Sequence, residues 1–85
     1  MDSNWGKKMP HLKVQMYPGR TDAQKEQLAK SLEECMKEVL GSTSSSISIS
    51  IEEIPQEIWH EEVVEKELKK NSNTVVKMPG YPLDK

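Results

Sequence analysis

At 85 residues, with 34% of them hydrophobic and no Phe, the chain has room for one domain at most and little material for a core. A lone cysteine, Cys35, excludes an internal disulfide framework, and with His11 and His60 it does not make a zinc-type ligand spacing, so neither a metal nor another cofactor is expected. A formal net charge of −2 without a basic stripe argues against nucleic acid, and no apolar run approaches the roughly 20 residues that cross a bilayer. Self-association is then the expected source of extra stability.

Residues 1–8 are polar and aperiodic and read as a mobile extension ahead of one domain over 9–85. They have no apolar segment behind them of the kind a secretory signal needs, which makes the cytoplasm the expected compartment. From His11 to Tyr17 the chain alternates, with Leu12, Val14 and Met16 on one face and His11, Lys13 and Gln15 on the other, the period of a half-buried strand. Tyr17-Pro18-Gly19-Arg20 breaks it. Thr21-Asp22-Ala23-Gln24 has the pattern of a capping box. Leu28, Leu32, Cys35, Met36 and Val39 then recur at helical spacing, with Cys35 expected to pack, and Gly41 suits the position after the helix end.

Beyond a serine loop over 42–46, Ile47, Ile49 and Ile51 alternate with Ser48, Ser50 and Glu52, a second strand. Two strands joined by a helical crossover form a βαβ unit with parallel strands and a right-handed connection. Pro55 suits the first turn of a second helix, whose acidic start and basic close match the helix dipole, with Glu62–Lys66 and Glu65–Lys69 at favourable spacing. Ile58, Trp59, Val63, Val64 and Leu68 form its apolar stripe, and Asn71-Ser72-Asn73 ends it. Thr74-Val75-Val76 suggests a short last strand before an irregular tail. The expected class is therefore α/β: a βαβ unit, a second helix and a short C-terminal strand or tail, assembled as a homo-oligomer.

The opening Met9-Pro10-His11-Leu12-Lys13-Val14, the stretch from Pro18 to Lys25, the run Ser45-Ser46-Ile47-Ser48-Ile49 and the end Lys77-Met78-Pro79-Gly80-Tyr81 resemble, in that order, the 4-oxalocrotonate tautomerase family. The tail is most similar to the PptA-like branch, whose members form dimers. The resemblance implies keto–enol isomerisation of a small enol acid, such as a 2-hydroxydienoate or phenylenolpyruvate. It implies Pro10 as the catalytic base and Arg20 and Trp59 as substrate-binding residues, with no cofactor. A second arginine of the family's model enzyme falls here on Ser48; the PptA-like branch also lacks that arginine.

The chemistry explains why the family places a proline first. Ketonisation needs one group that takes a proton from oxygen and returns it to carbon. A free amino-terminal proline is a secondary amine in a fixed ring, and ordinary α-amino groups titrate near about pH 7.7–8.0. A dry pocket and nearby cations lower that value and supply neutral base. A proline inside the chain has an amide nitrogen whose lone pair is delocalised, and it is no base. With Pro10 internal, the alternative reading is a non-catalytic oligomeric binding module.

Overall fold

The computed structural model describes residues 9–84; the expected extension over 1–8 lies outside them. The chain divides into two compact units, one comprising the residues up to Val14 with Gly19–Glu52, the other Gln15–Pro18 with Glu53 onward.

Strand β1 (His11–Met16) and strand β2 (Ser48–Glu53) pair in a two-stranded parallel sheet, as the alternation and the crossover length require. The Ser48 N–H donates to the Pro10 carbonyl at 3.3 Å, and the Ile54 N–H donates to the Met16 carbonyl at 2.8 Å, so one register holds from end to end. The exposed face carries the polar residues. There His11 Nδ1 and Ser48 Oγ share a hydrogen bond at 2.7 Å and Lys13 pairs with Glu52 at 3.4 Å.

Helix α1 (Asp22–Leu40) starts on the expected capping box. The Gln24 N–H donates to Thr21 Oγ1 at 3.0 Å and the Thr21 N–H donates to Gln24 Oε1 at 2.9 Å, satisfying two amides that have no partner within the helix. It ends at Gly41, whose φ of 69° lies in the left-handed region that favours glycine and whose N–H donates to the Lys37 carbonyl. Leu28, Leu32 and Met36 are half-buried, but Cys35 and Val39 are exposed, Val39 at 73%. The stripe is there; the cover is not. A helix of 19 residues rises about 28 Å at 1.5 Å per residue, whereas strands of 6 residues span about 20 Å. The end of α1 outruns the sheet.

In the second unit, Pro55 precedes a tight turn (Gln56–Ile58) and then a π-helix (His60–Lys69) in place of the expected α-helix. The Lys70 N–H donates to the Glu65 carbonyl, a five-residue step, and two side-chain contacts span the same step: His60 Nε2 to Glu65 Oε2 at 2.9 Å and Asn71 Nδ2 to the Lys66 carbonyl at 3.1 Å. These bonds favour the wider turn. The expected four-residue pairs form as well, Glu62–Lys66 at 3.1 Å and Glu65–Lys69 at 3.2 Å. Val63 and Val64 are buried, as is Ile54. No strand forms over 74–76. The Thr74 and Val75 amides donate back to Asn71 and Ser72, closing a turn over Ser72–Thr74, and Val76 is fully exposed. Two consecutive valines are too short a run to outcompete these local bonds. No helix among the described residues is long and apolar enough to cross a membrane.

Candidate active site

Pro10 stands at the mouth of β1, where its carbonyl receives the first bond from β2. That bond fixes the residue against Ser48 and leaves its nitrogen beyond the ladder. Pro10 is half-buried, whereas Met9 before it is exposed and has a φ of 49°. A positive φ is uncommon for a side chain of this size, and helical conformations are further disfavoured before proline. The Met9–Pro10 junction is thus exposed and strained. Beside it, the His11 ring is held by Ser48 through the bond between His11 Nδ1 and Ser48 Oγ.

Arg20 lies in the same unit, immediately before the Thr21 cap. It is exposed and has no hydrogen bond or ion pair to another described residue. The capped start of α1 fixes its backbone, while no carboxylate among the described residues pairs with the guanidinium. A free guanidinium offers a planar fork of donors to an acid. No bond joins it to Pro10.

Trp59 belongs to the second unit, between the Gln56–Ile58 turn and the π-helix. It is half-buried. Tyr17 meets its ring in a T-shaped pair, with centroids 5.0 Å apart and planes at 88°, and its indole N–H donates to the Tyr81 hydroxyl at 3.2 Å. Sequence patterning does not join these three, because they come from a strand end, a helix start and the tail.

In the same unit the Glu65 carboxylate is clearly shifted. The Lys69 ammonium, donating to Glu65, holds that carboxyl below its ordinary range, and His60 adds to the effect; partial desolvation opposes it. Glu65, His60 and Lys69 satisfy one another, the pattern of a structural clasp. No group of three or more His, Cys, Asp or Glu among the described residues is placed to hold a metal ion.

Comparison with known proteins fits this geometry. Residues 10–69 match the family model described as tautomerase enzyme, and the match begins at Pro10. The chain is 34% identical over 73 residues to a probable tautomerase of Xylella fastidiosa, covering 86% of this chain and 89% of that protein. It is also 34% identical over 76 residues to tautomerase PptA of Cronobacter sakazakii, covering 88% of this chain and 100% of that protein. Among solved structures, YwhB, a homologue of 4-oxalocrotonate tautomerase, superposes with a TM-score of 0.54 at 38% identity, over 55% of this chain and 77% of that one. TomN, a homologue from the tomaymycin biosynthetic pathway, superposes at 0.57 with 28% identity, over 59% and 77% of the two chains. With the βαβ unit, the capped helix and a match that starts at Pro10, this chain belongs to the tautomerase family.

Proposed function

We propose that the chain is a tautomerase of small enol acids, of the 2-hydroxydienoate or phenylenolpyruvate kind, in the form whose amino terminus is Pro10. The observation that supports this reading is that the family match opens on Pro10, at the mouth of β1. The neutral amine takes the proton of the substrate 2-hydroxyl. The oxygen lone pair becomes the carbonyl π bond, and the carbon–carbon π pair takes the proton back from the same nitrogen, at C3 of phenylenolpyruvate or the far carbon of a dienoate. The base is regenerated and nothing is consumed, so no cofactor is required. Arg20 holds the substrate carboxylate, and Trp59 packs on the planar diene and keeps water from it.

In this reading residues 9–85 act as one tautomerase domain and the working unit is a cytoplasmic homodimer. Support for self-association comes from the thin core: among the described residues the buried hydrophobic ones are Ile54, Val63 and Val64, and no residue of α1 is buried. With Met9 attached, Pro10 is acylated and the chain is the silent binding module. The test compares the 85-residue chain with one beginning at Pro10 on phenylenolpyruvate, with intact masses checked. A positioned base contributes about 10²–10⁴ in rate, and a deficit of that order is expected for the longer chain. Equal rates from two untrimmed chains would show that proton transfer does not use the Pro10 amine.

A further inference from the structure

The chain has four aromatic residues, Trp5, Tyr17, Trp59 and Tyr81, and no Phe. The three within the described residues converge on one cluster. This is the reverse of ordinary practice, in which aromatic side chains supply the largest share of a core. Here the buried hydrophobic residues are aliphatic, while Tyr17 is 41% exposed, Tyr81 is 44% exposed and Trp59 is half-buried. In a protein so short of apolar material, leaving its largest rings at the surface sacrifices stability unless they meet something else.

The cluster is also oriented. Tyr17 and Trp59 meet as a T-shaped pair, which restrains the plane of the indole without stacking. The Tyr81 hydroxyl accepts the indole N–H, which fixes rotation of the ring within that plane. An exposed tryptophan satisfies its N–H with water, so a protein partner at 3.2 Å is not required for solvation. Its consequence is order: fewer rotamers of Trp59.

We infer that Tyr81 is a positioning residue for Trp59, and that the Tyr17–Trp59–Tyr81 cluster is a subsite for the aryl or diene plane of the substrate. The inference rests on the tautomerase reading for the identity of that substrate. Tyr81 acts through the indole, and Tyr17 sets the tilt of the platform. A planar conjugated acid gains from a pre-oriented ring because little side-chain entropy remains to be lost on binding. An acid without a plane gains nothing from it.

The test uses the full chain and two probes, phenylpyruvate and pyruvate, which share the keto-acid head and differ by the ring. Calorimetric titration compares the parent with Tyr81→Phe, which keeps the ring and removes the hydroxyl. Phenylpyruvate binding should weaken about two- to tenfold, the range set by the net worth of one neutral hydrogen bond, and pyruvate binding should not change. In a Trp59→Phe background, Tyr81→Phe should have no further effect, since the donor it serves is gone. A Trp5→Phe chain has Trp59 as its single tryptophan; adding Tyr81→Phe should lower the fluorescence anisotropy of that indole. A merely structural role would move both probes alike. Unchanged phenylpyruvate affinity, equal losses for both acids, or no binding of phenylpyruvate to the parent would each overturn the inference. Binding in the expected pattern by a chain that fails to ketonise phenylenolpyruvate when it begins at Pro10 would sink the tautomerase reading and leave the subsite standing. Turnover with affinities indifferent to Tyr81 would do the opposite.

Discussion

Replacing Thr21 by Ala removes the side-chain half of the capping box at the start of α1 and tests whether that box sets the stability of the first unit. Two backbone-amide bonds are at stake, the Gln24 N–H to Thr21 Oγ1 at 3.0 Å and the reciprocal Thr21 N–H to Gln24 Oε1 at 2.9 Å, beside a weaker one from the Thr21 hydroxyl to Gln24 Oε1 at 3.4 Å. The first is lost outright. The second loses its geometric support, because Thr21 no longer fixes the turn. Substituting such a cap by Ala costs about 0.5–2 kcal/mol. Thr21 and Gln24 are both exposed, so water replaces part of each bond and the lower half of that range applies, about 0.5–1 kcal/mol. For a domain of this size 1 kcal/mol moves the melting midpoint by about 4–8 °C, giving an expected fall of about 2–8 °C. Thr21→Ser keeps the acceptor and should stay near the parent. Gln24→Ala removes the other half, and the double variant should fall short of the sum of the two, since the bonds share one turn. Melting is followed by circular dichroism at one protomer concentration, because an assembling protein has a concentration-dependent midpoint. A midpoint within about 1 °C of the parent for Thr21→Ala would refute the idea that this box, rather than packing along α1, anchors the helix start.

Three further outcomes are expected. The Glu65 carboxyl is depressed by Lys69 and then His60, so its contribution to stability is complete above the ordinary carboxylate value and is lost as pH falls through the lower folded value. The melting-point gap between the parent and Glu65→Gln should therefore persist from neutral pH down to the ordinary carboxylate range and close below it; a gap independent of pH would refute the ionic origin. Arg20→Ala in a chain beginning at Pro10 should raise KM for enol acids about tenfold or more with little change in kcat, as expected for loss of a charged hydrogen bond to the substrate, and unchanged kinetics would remove Arg20 from the site. Sedimentation at micromolar concentration should show a dimer, and a stable folded monomer would contradict the reading of the thin core.

The elements that were legible in the sequence are those whose signal is local and whose geometry is ordinary. The alternation over β1 and β2 needs only the two-residue period, and the Thr21 and Gly41 caps need only their own side chain or φ. The misreadings share a different cause. Cys35 and Val39 lie on the right stripe of α1, but periodicity says which way a residue points and not whether anything covers it; a two-stranded sheet is too small to do so. The valines at 75 and 76 have strand propensity and no strand to pair with, so the local turn over Ser72–Thr74 prevails. The π-helix is the hardest case. An α-helical wheel sets His60 and Glu65 apart, and only the five-residue step brings them to 2.9 Å.

The candidate site divides along the same line. Pro10 and Arg20 enter as candidates through the family resemblance alone; the structure adds that the proline lies at a strand mouth and the arginine one residue ahead of a helix cap. Trp59 is recognisable as a position but not as a function, because what an aromatic ring does depends on its neighbours. Its neighbours are a tyrosine 42 residues earlier and another 22 residues later, brought together by the fold. Tyr17 reads in the sequence as the residue that ends a strand, and Tyr81 as part of an irregular tail. Only together do they change the meaning of Trp59, from a large apolar residue of uncertain cover to a ring held in plane and in rotation. The tail that yields no strand supplies the hydroxyl, so it is a structural part of the second unit even though it has no regular secondary structure. It follows that a truncation ahead of Tyr81 should disturb Trp59, because the indole N–H then loses the hydroxyl that accepts it.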